Sequence, residues 1–164
     1  MATLITTALG RLDILKRYKN IAVVGLSANQ FRPSHFAAIY LISVGYNVIP
    51  VNPRETEILG RKCYPSVTAA AAEMAREDRG QIEVVDVFRN SKDVPPIVDE
   101  AIAIGAKVLW MQLGVINEAA ALTAVQGGLD VVMDRCMKIE HARFYGGLNL
   151  IGLNTGVVSA RRDL

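Results

Sequence analysis

No apolar run in these 164 residues approaches the roughly 20 needed to span a bilayer. The N-terminus also lacks the basic region, apolar block and cleavage site of a secretory signal. A cytoplasmic protein with no membrane partner is the expectation. Charge is equally scarce, since a net +2 falls far short of the basic footprint of a nucleic-acid binder. No nucleic-acid partner is expected. There are only two cysteines, Cys63 and Cys136, and a reducing compartment argues against pairing them, so they read as separate thiols. Metal-ligand spacing is missing as well. Cys136, Glu140 and His141 would need further ligands at known intervals, and Cys136 has no base whose position can be argued. No residue is assigned a catalytic or metal-binding role. What remains is a chain with 51% apolar and 21% charged residues, a globular balance. Its length suits one domain over 1–164 and is too short for two of ordinary size.

Short β-branched runs at 21–24, 47–51, 82–88, 107–112 and 129–133 read as strands. They alternate with helical segments. Pro33 suits the first turn of a helix that Gly45 stops, Ser66 suits the cap of one over 67–75, Pro95 and Pro96 open a third, and Asn117 caps a fourth. Parallel strands need crossover connections, and those are right-handed. The expected fold class is therefore α/β, a doubly wound parallel sheet of about five strands, Rossmann-like, with helices on both faces. Residues 1–20 read as an amphipathic lead-in helix that packs on the sheet edge or on a second subunit. In it Leu9, Leu12, Ile14, Leu15 and Tyr18 cover one face while Arg11, Asp13, Lys16 and Arg17 stay wet. In the helix after Pro33, the expected apolar face is Phe36, Ile39, Tyr40 and Ile42. Residues 55–66 read as an irregular connection. The glycine-rich tail, 143–164, either wraps back over the domain or meets a partner, and a homodimer or another protein partner is left open.

The chain is organised around the turn after its first strand. The apolar run ends in Gly25, passes through Ser27, Ala28, Asn29, Gln30 and Arg32, and meets Pro33 at a helix start. Unpaired amides and the positive end of the helix dipole make such a turn an anion site. Only Gly25 of the dinucleotide fingerprint's three glycines is present. His35 reads either as a phosphate contact or as a packing or capping residue. At the end of the second strand, a nicotinamide dinucleotide fold would place an acid for the ribose diol. Here stand Val51, Asn52 and Pro53, followed by Arg54. A missing acid and an added cation suit a ribose that bears phosphate, as in NADP or coenzyme A. Phe88 and Arg89 follow the third strand, and the loop at Leu113 follows the fourth, at the edge where ligands collect in open α/β sheets. Trp110 reads as core.

In their order and spacing, Val24-Gly25-Leu26-Ser27, Val51-Asn52-Pro53, residues 60–65, Val87-Phe88-Arg89, Trp110-Met111-Gln112-Leu113-Gly114 and Asp134-Arg135-Cys136 with Glu140 carry a resemblance. The chain resembles the small stand-alone CoA-binding-domain proteins, which are similar to the N-terminal domain of the succinyl-CoA synthetase α subunit, over about residues 15–162. The resemblance implies coenzyme A as cofactor. Gly25 through Gln30 would receive the pyrophosphate, with Arg32 adding charge. Val51, Asn52 and Pro53 would lie along the adenosine, with Arg54 placed for a phosphate. Phe88 and Arg89 would line the pantetheine route or hold phosphate. Met111, Gln112 and Leu113 would form a second contacting loop, and Cys136 would lie near the thiol end, where oxidation could link it to CoA as a mixed disulfide. The synthetase needs a phosphohistidine domain and a nucleotide-grasping subunit, and its turn has a Thr-Gly-Lys character absent here. The function implied is therefore binding of CoA or acyl-CoA without self-contained catalysis, as a carrier, sensor or regulatory module. The alternative is an NADP-dependent oxidoreductase.

Overall fold

In a computed structural model, the structure describes residues 1–146, and the tail beyond 146, including most of the glycine-rich stretch, lies outside the described residues. Along the chain run α1 (Ala8–Arg17), β1 (Asn20–Val24), α2 (Pro33–Ser43), β2 (Asn47–Val51), β3 (Glu57–Ile58), β4 (Arg61–Lys62), α3 (Val67–Arg76), β5 (Val84–Val87), α4 (Val94–Ala103), β6 (Val108–Met111), α5 (Glu118–Gln126), β7 (Asp130–Val132) and α6 (Met137–Tyr145).

Five of the strands form one sheet in the order β2-β1-β5-β6-β7, every pair parallel. The expected Rossmann-like α/β class is observed. Burial explains why the strands read as unbroken apolar runs: both faces are covered, so alternation has no wet side to mark. On one face α3, α4 and α5 lay Val67, Met74, Val98 and Ala124 over Val85, Val87 and Leu109. On the other, α1, α2 and α6 lay Leu15, Leu41 and Met137 over Val23, Trp110 and Val132. Trp110 is fully buried, as expected of a core residue, and its indole N–H donates to the Arg135 carbonyl.

Local chemistry fixes the helix starts. Ser66 Oγ accepts from Ala69 N and Asn117 Oδ1 accepts from Ala120 N, as their positions promised. Thr7 caps α1 in the same way, toward Gly10 N. The lead-in does pack at the sheet edge, where Ile5 N donates to Val131 O and Val131 N donates to Thr3 O.

Three expectations need correction. Arg11 is buried, not wet, because Glu140 of α6 reaches it at 2.7 Å, while Leu9 points outward and is exposed. In α2 the buried face is Ser34, His35, Ala37, Ala38 and Leu41; of the four expected residues Tyr40 and Ile42 pack partly buried against the core, and Phe36 and Ile39 are exposed. The 55–66 connection contains the small antiparallel β3–β4 hairpin; Cys63, which follows it, is buried and, as expected, not bonded to Cys136.

Candidate functional site

The strand order reverses between β1 and β5, so their following loops diverge and leave a crevice at the carboxyl edge. Backbone bonds hold its base together: Gly25 N donates to Val51 O at 2.9 Å and Phe88 N to Val24 O at 2.8 Å. Gly25 sits at φ +81, and a side-chain carbon there would run into the Phe88 carbonyl oxygen. Only glycine permits both the left-handed turn and this close approach.

The loop after Gly25 is braced by its own polar groups. Ser27 N donates to Ser34 Oγ, Asn29 N to Ser27 Oγ, and Phe31 N to Asn29 Oδ1. Asn52 Nδ2 donates across to Leu26 O at 2.9 Å while its Oδ1 accepts from Arg54 N. His35 is buried in the first turn of α2, and because a carbonyl only accepts, its Nδ1 must donate to Ser27 O at 2.8 Å. Of its two sequence readings, packing is the one the geometry supplies. The N-cap residue of α2, Arg32, makes no side-chain capping hydrogen bond.

Above this base lies an open cavity of about 1050 Å³, lined from β1, β2, β5, β6 and the start of α6. It collects Gly25, Ser27, Arg32, Asn52, Pro53, Arg54, Phe88, Arg89, Gln112, Leu113 and Cys136 of the residues singled out from sequence. Ala28, Asn29 and Gln30 are exposed on the turn outside the lining. Val51 and Met111 are buried in the core on the α3–α5 face, so only their backbone can reach the crevice. Among the described residues, the lining holds four cationic side chains, Arg32, Arg54, Arg89 and Lys138, and no carboxylate. That imbalance favours a polyanion.

Sequence reasoning did not assign Phe31, Val115, Lys138 or Ile139 to the site and read Phe36 as a packing residue, yet all five also line the cavity. The last two belong to α6, a helix whose buried face is Met137, Glu140 and His141. With two of its three core-facing side chains ionisable, it carries little apolar signal. The Cys136 thiol is half-buried beside it, and burial pushes its pKa up. It is a poor thiolate donor as it stands.

One more group was missed. Asp86, in the middle of β5, is fully buried and accepts from Gln112 Nε2, leaving Asp86 Oδ2 and Gln112 Oε1 buried without partners among the described residues. Burial pushes this carboxyl up to about 7 against the lowering effect of Gln112. Among the described residues, no cluster of His, Cys, Asp and Glu could hold a metal, and no helix is long and apolar enough to cross a membrane.

Comparison with known proteins places the chain. It is 40% identical over 130 residues to the uncharacterized protein YneT of Bacillus subtilis (strain 168), covering 79% of this chain and 90% of that protein. Among solved structures it is similar to a hypothetical protein from Pyrococcus horikoshii OT3, 43% identical with a TM-score of 0.77 over 85% of this chain and 93% of the other. It is likewise similar to Prb, the PH1109 protein redesigned for binding, 41% identical with a TM-score of 0.78 over 87% and 95% of the two chains. The family model described as CoA binding domain matches residues 19–142, and the chain belongs to that family.

Proposed function

We propose that this protein binds coenzyme A or an acyl-CoA across the carboxyl edge of its sheet and works as a carrier, sensor or regulatory module, with no reaction of its own. The observation that carries the reading is the cavity itself, which among the described residues has four cationic side chains and no carboxylate, at the switch point of a sheet whose family is described as CoA binding domain. In this reading the Gly25–Arg32 turn and the start of α2 receive the pyrophosphate. Asn52, Pro53 and Arg54 take the phosphorylated ribose end. Phe88, Arg89 and Leu113 line the pantetheine arm as it runs toward Gln112 and Cys136.

The test compares thermal shifts with CoA, acetyl-CoA, NAD, NADP and ATP at equal concentration, since a ligand that binds only the folded state raises the transition by mass action. A shift confined to the CoA compounds is expected. A shift led by NADP would overturn the reading and make Arg54 a clamp for a nicotinamide cofactor.

A further inference from the structure

The inner end of the cavity holds an unfinished hydrogen-bond pair. Gln112 is 3% exposed yet lines the cavity, and its carboxamide nitrogen is committed to Asp86 Oδ1. An ionised carboxylate only accepts, so the nitrogen must face Asp86, and the amide oxygen is left as a buried acceptor with no donor among the described residues. Such a group costs free energy until something donates to it.

We propose that Asp86 is a positioning residue that holds Gln112 so that its Oε1 accepts a hydrogen bond from the pantetheine arm of the bound ligand, an amide N–H or the thiol. The inference rests on the CoA reading of the cavity and names the ligand end that meets its floor. It also implies a competitor. A protonated Asp86 can donate from Oδ2 to Gln112 Oε1 and close an acid–amide ring that satisfies both orphans at once. The ligand then has to break that ring. Because burial holds the Asp86 carboxyl near neutrality, the two states exchange in the ordinary working range of pH. On this face, the sheet neighbours of Asp86 are Val23 and Trp110. The ionisable groups that the packed elements keep buried or half-buried are Arg11 of α1, His35 and Tyr40 of α2, and Cys136, Lys138, Glu140, His141 and Arg143 at α6, while Asp13, Lys16 and Arg17 of α1 and Tyr145 of α6 are exposed. The Cys136 thiol feels the Asp86 charge.

The test is Asp86→Asn, read by CoA calorimetry and thermal unfolding at pH 6.0 and pH 8.5. Asparagine supplies the acceptor for Gln112 Nε2 and a donor for Gln112 Oε1, so it closes the ring permanently. At pH 8.5 the variant should melt higher than wild type and bind CoA roughly tenfold more weakly, the scale of one lost hydrogen bond. At pH 6.0 the two proteins should converge. The ligand phosphates and the other ionisable groups titrate in both proteins, so the ratio of affinities isolates Asp86. Gln112→Met, which removes the acceptor, should weaken CoA binding similarly and leave Asp86→Asn without further effect on affinity. Unchanged affinity in Asp86→Asn at pH 8.5, or a lower melting temperature, overturns the inference while leaving the CoA reading intact. No CoA binding by wild type overturns the CoA reading itself, and this inference with it.

Discussion

Neutralising Glu140 should loosen the whole wall of the cavity that α6 provides. Arg11 Nε donates to Glu140 Oε2 at 2.7 Å, with the two side chains only 7% and 3% exposed. The guanidinium also donates to the Thr6 carbonyl, and Arg143 lies 3.9 Å from the other carboxylate oxygen. Taking two charges out of water is expensive, and their attraction repays it only as a pair. Glu140→Gln leaves Arg11 buried without its counter-ion, which should cost about 3–5 kcal/mol. In a domain of this size that is a fall of roughly 10 °C in melting temperature. Replacing both partners, Arg11→Met with Glu140→Leu, removes both charges and should come back to within about 2 kcal/mol of wild type. Urea unfolding of the single and double variants measures the coupling. Because the same helix carries Lys138 and Ile139 into the cavity, CoA affinity should drop in the single variant and recover in the double. A single variant within about 1 kcal/mol of wild type, or a double variant as weak as the summed singles, would refute the reasoning.

The raised Asp86 carboxyl makes the folded state hold a proton that the unfolded chain releases near pH 4. Its contribution to stability is therefore full below that pH and is lost as pH rises through about 7, the value burial sets for the folded state. Urea midpoints should fall with pH more in wild type than in Asp86→Asn, and an equal slope would remove this assignment. Gly25→Ala places a side chain at φ +81 against the Phe88 carbonyl. It should cost about 1–2 kcal/mol from the backbone alone, more with the clash, and abolish CoA binding. A folded, binding variant with wild-type stability would contradict it. Arg54→Gln should weaken CoA roughly tenfold at low salt, as expected for one lost charge-assisted contact, yet leave dephospho-CoA unchanged in the same calorimetry. Equal losses for both ligands would move Arg54 away from the ribose phosphate. Iodoacetamide should label Cys136 more slowly than a free thiol at pH 7.5, because burial holds the thiol protonated. Bound CoA should slow it further.

The strands were legible because Ile21 to Val24 and Val108 to Met111 are buried on both sides, and nothing but an apolar run survives there. The caps at Ser66 and Asn117 were legible because their hydrogen bonds span three residues. Helix faces were harder. In α2 two apolar stripes share the helical period, Phe36-Ile39-Tyr40 and Ala37-Ala38-Leu41, and side-chain size favours the wrong one. Ala37 and Ala38 face the sheet beside Leu41, while Phe36 and Ile39 are left at the surface or the cavity mouth. Arg11 was misplaced for a different reason, since its burial depends on a partner 129 residues away.

The candidate site follows the same division. Its backbone turn, its added cation at Arg54 and its strand-end loops could be read from local sequence, because each is a deviation from an ordinary βα turn. What local sequence does not reveal is which polar atoms the protein spends on itself. Ser27, Asn29 and Asn52 suggest ligand donors, yet their oxygens accept backbone amides and the Asn52 nitrogen is taken by Leu26. Asp86 was visible as a charge in a strand that should carry none, but its meaning required knowing that β5 and β6 are neighbours, which alone brings Gln112 to it. Subtracting the committed atoms leaves a cavity with exposed Arg32, Arg54 and Arg89, a half-buried Lys138, and a buried amide oxygen that has no partner among the described residues. A molecule with phosphates at its head and amides and a thiol along its arm offers partners for both kinds of group, and that match is why the proposed ligand is coenzyme A rather than a nucleotide charged at the middle alone.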